Sequence, residues 1–391
     1  MYELCTTATE YPDRPDCDSA GHLARLASSP SHAALIVRPT SAIFLHALAI
    51  ALPPTVLTQT ECWDIVKRSE ARQRLNRRSV LTLQAILRHD SGISTRHFAI
   101  PDIDRVFSLT PDELNEAFRV EAPRLASRAL ASALTQAGLA AGQVDALLIC
   151  TCTGYLCPGV TSYVAEQLDL RTDVFLQDLV GLGCGAAIPS LRAAQAILAV
   201  QPAAVVACVA VEVCSAAFYL DDDPGVLVSA CLFGDGAAAT IWRGTPGPRA
   251  LRCSDFTTLH QPAHRDRIRF EMRGGKLRNL LHPAVPTLAA AAVDQLLTGE
   301  RTRSGGRPIS RIIAHVGGRD VLDAIEKSCA GCDLSASRQV LRECGNMSSP
   351  SVLFALERAL LDGSPDEKCD WWLTSFGAGF SAHGCRVGII P

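Results

Sequence analysis

"GLGCGAAIPSLRAAQAIL", residues 181–198, sets one cysteine among glycines and alanines immediately before a helical pattern. Ile188, Leu191, Ala194, Ile197 and Leu198 recur at helical spacing and predict a helix with a buried face. Pro189 fits only the first turn of such a helix, because proline has no N–H to give to an interior turn. Cys184 therefore falls at or just before a helix N-terminus, where unpaired N–H groups and the helix dipole favour an anion. A thiol so placed tends toward a lowered pKa, and the thiolate is its reactive form. Gly183 and Gly185 permit unusual backbone angles and the close approach of another molecule. The plain alternative is a small buried cysteine in a glycine turn.

Buried strands flank this helix. "VDALLICTCTG" (144–154) runs into a loop before it, and "AAVVACVAVEV" (203–213) follows it. Residues 193–211 carry no charge, yet Pro202 divides them into a helical and a β-branched part, so a buried helix leading to a buried strand explains them better than a membrane span. Upstream, from "AIFLHALAIALPP" (42–54) onward the pattern becomes strand-like and then helical, and "EAPRLASRALASALTQAGLAAGQ" (121–143) is an alanine-rich amphipathic helix closed by glycines. From about residue 250 a second series of strands and helices ends in "WWLTSFGAG" and "RVGII". Two successive α/β series predict a duplicated, layered α/β architecture. The expected organisation is an N-terminal extension over 1–40, partly ordered at best, a first half over 41–245 and a second over 246–391.

Bulk composition narrows the function classes. With 391 residues, 48% of them apolar, the chain has ample core for a globular enzyme. A formal charge of −3 gives no general reason to bind nucleic acid or anionic membrane. Sixteen cysteines lie along a chain whose start, "MYELCTTATE", is acidic and polar, so a reducing cytoplasm is expected rather than a disulfide scaffold. Cys329 and Cys332 form a CxxC, but no second pair follows at zinc spacing, and no metal is expected.

Three further positions carry chemistry. His315 ends a buried strand and precedes two glycines and a helix, the kind of strand end where open α/β sheets meet ligands. Asn346 precedes a Ser-Ser-Pro that opens an apolar helix, where a capping role is the plain alternative. Phe233 stands before a Gly-Asp-Gly turn, where it could equally be a core aromatic. A cysteine with a histidine partner forms acyl-thioesters, the imidazole stabilising the thiolate as an ion pair. Histidine and asparagine N–H groups aimed at one carbonyl oxygen stabilise a developing enolate. A Cys-His-Asn set also serves papain-like proteases, but the apolar helix after Cys184 favours a closed, dry pocket over an open peptide cleft.

"GCGAA" (183–187), "LFGDGAA" (232–238), "HVGG" (315–318) and "GNMSSPSVLF" (345–354) occur in the order and approximate spacing of type III polyketide synthases. From about residue 41 onward the chain resembles this chalcone and stilbene synthase family, which has the thiolase fold, a duplicated layered α/β/α/β/α architecture. The resemblance implies that Cys184 takes the starter acyl group from coenzyme A and that His315 and Asn346 bind the malonyl thioester carbonyl. It makes Phe233 a gatekeeper and places Cys152, Thr153, Ala217 and Ser348 on the cavity wall. It also implies a homodimer without metal or prosthetic group, with Cys157 at the tip of the loop "GYLCPG" reaching toward the partner's cavity. Coenzyme A thioesters are then substrates rather than cofactors.

Departures from the plant pattern point to a bacterial-type member. The second gatekeeper phenylalanine has no clean match and leaves Asn279 or Leu280; Ala378 stands where the plant enzymes have proline. Arg74, Arg77, Arg78 and Arg88 could meet coenzyme A phosphates or simply form an exposed basic helix face. The expected activity is repeated decarboxylative condensation of malonyl-CoA onto an acyl-CoA starter, then cyclisation to a resorcinol, resorcylic acid, phloroglucinol or pyrone. Ala217 and Cys152, less polar than the family's threonine, lean the starter toward a fatty acyl group. The competing readings are a ketoacyl synthase making one condensation on an acyl carrier protein, and a non-catalytic acyl-binding scaffold.

Overall fold

Alternating and continuous apolar runs give thirteen strands among the described residues of this computed structural model, which are 42–389 without 249, 305, 306 and 330. They are β1 (Ile43–Ala51), β2 (Thr55–Thr58), β3 (Thr95–Phe98), β4 (Ala146–Cys150), β5 (Phe175–Leu179), β6 (Val206–Glu212) and β7 (Gly236–Arg243), then β8 (Leu251–His260), β9 (Ile268–Arg273), β10 (Lys276–Leu281), β11 (Ile309–Ala314), β12 (Asp370–Gly377) and β13 (Ser381–Ile389). The helices are α1 (Gln59–Arg68), α2 (Arg77–Arg88), α3 (Pro111–Ala137), α4 (Val160–Gln167) and α5 (Ala187–Val200), then α6 (Pro224–Leu232), α7 (Val285–Ser304), α8 (Arg319–Ser328), α9 (Ser335–Cys344) and α10 (Ser351–Asp362). The expected extension over 1–40 lies outside the described residues.

Nine strands form one mixed sheet in the order β11-β12-β13-β8-β1-β7-β6-β4-β5. Its β4, β5 and β6 run parallel, as do β11 and β12. The sheet narrows where β1 meets β8, through the pairs Ile43↔Cys253 and Phe44↔Arg252 alone. On the β4 side, Leu148 and Cys150 face one apolar cluster while Leu147 and Ile149 face another, so both faces are covered, as a parallel sheet requires. The fold is the layered thiolase-like α/β type. Helix α3 packs outside β1, β7 and β6; α7 packs outside β13, β8 and β12. Between the two sides run α5, which touches β4 and β6 as well as β12 and β13, and α10, which touches β1, β11 and β12.

Local chemistry explains the element ends that matter. The stretch 121–143 was expected to hold a whole helix, but α3 starts ten residues earlier, at Pro111, where Thr110 and Glu113 form a capping box ahead of a proline in the first turn. Pro123 then sits inside the helix without ending it. Helix α5 is buried along Ala187, Ile188, Leu191, Ala194 and Leu198, so the spacing around Cys184 was read correctly. No helix among the described residues is long and apolar enough to cross a membrane, and residues 193–211 fall into α5 and β6 as expected.

Candidate active site

Each chemistry-bearing residue stands at a junction between elements. Cys184 lies in the one-turn 3-10 segment Gly183–Gly185 between β5 and α5. Gly183 has φ +56°, and a Cβ there would meet Ala378 at 2.9 Å, so glycine is required on two counts. His315 directly follows β11, its backbone N–H bonded to Thr374 O at 2.8 Å. Asn346 follows α9 after Gly345, and its amide oxygen accepts the Ser348 N–H at 2.8 Å. That bond fixes the amide so that its NH2 remains to donate. Phe233 directly follows α6 as its C-cap and forms a β-bridge with Asn346.

Cys184, His315, Asn346 and Phe233, scattered over 163 positions of sequence, line one cavity of about 610 Å³. Its remaining wall is largely apolar and includes Ile86, Val228, Ile268, Leu281, Val285 and Phe376. The His315 ring stands edge-on to Phe376, centroids 5.1 Å apart. Around the opening lie His89, Asp90, His282, Arg319 and Asp320. Arg88 is exposed at the end of α2, while Arg74, Arg77 and Arg78 are exposed near its start.

The other expected site residues fall elsewhere. Ser348 is fully buried, and its hydroxyl donates to Cys184 Sγ at 3.2 Å while standing 3.1 Å from Cys152 Sγ. Thr153 is buried with both its N–H and its hydroxyl on Glu212. Ala217 closes the 3-10 turn Cys214–Ala217, and Cys157 is exposed. None of these five lines the 610 Å³ cavity. Asn279 and Leu280 are in β10, where the Asn279 side-chain oxygen is buried without a hydrogen-bond partner among the described residues.

Electrostatics correct the expectation of a lowered thiol pKa. Burial pushes the Cys184 thiol up to about 12; the Ser348 hydrogen bond opposes this, and Glu212 adds to it. Burial likewise pushes His315 down to about 3, with Ser348 backbone acting against it. Burial thus works against the charged form of both groups, opposite in direction to the lowered thiol pKa expected from a helix N-terminus. His315 Nδ1 has no hydrogen-bond partner among the described residues.

Two residues escaped the sequence reading. Glu212, fully buried, accepts from Thr151, Cys152 and Thr153 on one oxygen and from Ser349 on the other. Its signal was a single acid closing the apolar run 203–213. Arg96 is 1% exposed in β3, and "DSGISTR" showed nothing to mark it as buried. Among the described residues no group of three or more His, Cys, Asp or Glu could hold a metal, and every described cysteine is a free thiol.

Comparison with known proteins covers nearly all of this fold. The model of the family FAE1/Type III polyketide synthase-like protein matches residues 37–250, and that of chalcone and stilbene synthases, C-terminal domain, matches residues 257–387. A 3,5-dihydroxyphenylacetyl-CoA synthase of Streptomyces toyocaensis is 30% identical over 292 residues, 70% of this chain and 74% of that protein. A 1,3,6,8-tetrahydroxynaphthalene synthase of Streptomyces coelicolor is 28% identical over 346 residues, 86% of this chain and 90% of that protein. The crystal structure of 1,3,6,8-tetrahydroxynaphthalene synthase from Streptomyces coelicolor superposes with a TM-score of 0.78 at 25% identity, covering 89% of this chain and 99% of that one. PKS-I of the brown alga Ectocarpus siliculosus shares the fold at a TM-score of 0.80, 24% identity and 90% and 99% coverage.

Proposed function

Because this chain belongs to the type III polyketide synthases, acyl-transferring condensing enzymes, we propose that it extends an acyl-CoA starter with malonyl-CoA on Cys184 and cyclises the product. The observation that carries this reading is the convergence of Cys184, His315 and Asn346 on one largely apolar cavity. In this reading His315 is the proton acceptor. As Cys184 Sγ attacks the starter thioester carbonyl, its proton passes to His315, coenzyme A leaves as its thiol, and the acyl group stays on sulfur. The malonyl thioester then presents its carbonyl oxygen to the Asn346 NH2 and His315. Loss of CO2 leaves an enolate whose negative oxygen those donors stabilise, and a dry site strengthens both bonds. The enolate carbon attacks the Cys184 thioester, the sulfur departs as thiolate, and the lengthened chain is carried on coenzyme A. No metal or prosthetic group enters these steps.

For the starter we propose a fatty acyl group, supported by the apolar wall of the cavity. The second reading is a starter drawn from malonyl-CoA itself, favoured by relatives named for small hydroxylated aromatics: 1,3,6,8-tetrahydroxynaphthalene synthase and, in Pseudomonas fluorescens, phloroglucinol synthase. The chain is proposed to act as a homodimer. Edge strand β5 exposes Phe175 and Leu176, with Tyr155 and Val180 exposed in adjoining loops, a row that a second copy would cover. Product mass spectrometry with acyl-CoA starters from two to sixteen carbons (about the span that methylene-by-methylene burial would discriminate), and with malonyl-CoA alone, tests this reading. Triketide or longer products from wild type and none from Cys184→Ala support it. Growth with chain length selects the fatty acyl starter, and full output from malonyl-CoA alone selects the second reading. Activity only with a malonylated carrier protein would mark a ketoacyl synthase instead.

A further inference from the structure

Arg96 is a cation with almost no contact with water, and the chain spends its donors on backbone at the site. Its Nε donates to Gln59 Oε1 at 2.9 Å, and its Nη1 donates to both Ala230 O and Phe233 O at 2.8 Å. The guanidinium carbon lies 5.1 Å from the Phe98 ring centroid. Burying an unpaired charge is costly, and an apolar side chain would fill the same space more cheaply. The compensation here is charge-assisted hydrogen bonding to the last carbonyls of α6, where the helix dipole also favours a cation.

Those carbonyls belong to the gate. Ala230 O and Phe233 O fix where α6 stops and so where Phe233 turns toward the cavity. The same segment is tied to the asparagine: Asn346 N–H donates to Leu232 O at 2.9 Å, and Gly234 N–H donates to Asn346 O at 3.0 Å. The Arg96 stem also packs on the chain before Asn346. A Cβ on Gly345, whose φ is +69°, would stand 3.0 Å from Arg96 Cγ and 2.6 Å from Leu232 O. Asp235, the next acid along, is buried with its carboxylate on Ala99 N–H and Ser215 N–H, and its N–H on His97 O, so β3 and its following residues grip the segment on both sides of Gly234.

We propose that Arg96 is a positioning residue that locks Phe233 and Asn346 into one unit, and so sets the malonyl decarboxylation step rather than the acylation of Cys184. This rests on the roles given above to Phe233 and Asn346. A lysine keeps the charge but gathers its donors on one nitrogen, whereas Arg96 reaches Gln59 from Nε and the two carbonyls from Nη1. Cys184 stands on the turn before α5 and shares none of the Arg96 bonds; its link to this unit is Ser348, whose hydroxyl donates to Cys184 Sγ and whose N–H donates to Asn346 Oδ1.

The test separates the two half-reactions in Arg96→Lys. Acyl-enzyme formation from a short acyl-CoA is followed by intact mass, and malonyl-CoA decarboxylation by released CO2, both per folded molecule. Acylation within threefold of wild type, with decarboxylation kcat down at least thirtyfold and more acetyl-CoA released per condensation, is the expected result. Gln59→Leu, which keeps Arg96 but removes its Nε acceptor together with the Gln59 amide bonds to Cys231 O and Ser91 Oγ, should show the same pattern at smaller size and covers the case in which Arg96→Lys fails to fold. Equal losses in both half-reactions, or a lowered Tm with both rates intact, overturn the proposal. Wild-type enzyme that does not decarboxylate malonyl-CoA would instead overturn the polyketide reading on which it rests.

Discussion

Ser348 Oγ stands within 3.2 Å of Cys184 Sγ and 3.1 Å of Cys152 Sγ, so one hydroxyl meets two thiols that burial holds protonated. Its bond to Cys184 works against that burial and favours the thiolate. A hydrogen bond of this kind contributes ~1 kcal/mol, so Ser348→Ala should slow acylation of Cys184 about fivefold and move its alkylation to higher pH. Site-resolved iodoacetamide labelling across pH 7–10 (about the range that spans a free thiol's ionisation) checks this; an unmoved Cys184 profile counts against it. In the free enzyme the exposed Cys157 should label ahead of Cys184, since only the former is in water. His315 and Asn346 face the cavity together and are proposed to serve one oxyanion. His315→Ala and Asn346→Ala should each cut malonyl decarboxylation by ~100-fold or more. The double variant should lose far less than the product of the two, as residues acting as a unit do. Multiplicative losses would assign them to separate steps.

The turn that carries Cys184 is positioned by the end of β12 as much as by α5. A Cβ on Gly377 would stand 2.4 Å from Gly185 N and Leu182 O, against backbone that has nowhere to go. Gly377→Ala should therefore displace the turn, lowering both Tm and Cys184 acylation per folded molecule by more than tenfold. Gly384→Ala makes a comparable clash inside the strand pair, 2.2 Å from the Trp372 indole, but away from the turn. Overpacking of this sort costs about 1–3 kcal/mol, so Gly384→Ala should lose stability and keep its acylation rate. Acylation kinetics scaled to folded fraction distinguish the pair. At this scale the sequence was readable where the physics is local. Glycine spacing and helical period placed Cys184 before α5, His315 after a buried strand and Asn346 before α10, and family motifs joined them. What was not readable depends on distant chain. Arg96 meets residues 134 and 137 positions away, and Glu212 bonds Ser349 at a separation of 137. The Cys184 pKa went the other way for the same reason: a helix N-terminus is visible in eighteen residues, whereas the burial that outweighs it comes from the whole fold.

Buried thiols couple that fold to pH across the entire molecule. Cys208, Cys231 and Cys344 join Cys184 in being pushed up to about 12 by burial, whereas a free thiol ionises near pH 9. Between those values the native state binds more protons than the unfolded state, so stability falls as pH rises. The contribution is fully present below pH 9 and is lost on the way to 12. On the acid side the sign reverses for the histidines: His315 and His383, pushed down to about 3 and about 4, bind fewer protons folded than unfolded below pH 6.5, so stability falls as pH drops. Asp235, raised to about 6 by burial, opposes that acid loss because it binds its proton more readily in the fold. The alkaline limb should therefore be the steeper one, each buried thiol contributing up to ~1.4 kcal/mol per pH unit. Urea denaturation at intervals from pH 8 to 10.5 (about one and a half units past free-thiol ionisation) should show stability falling with accelerating slope. Cys208→Ala supplies the decisive comparison. It removes a sulfur buried in β6 whose thiol bonds Ser190 O, so it should be less stable than wild type at pH 7. Lacking one titrating thiol, it should also lose stability less steeply above pH 9, and the two curves should converge by pH 10.5. Parallel curves would mean that the buried thiols do not set the alkaline limit of this fold.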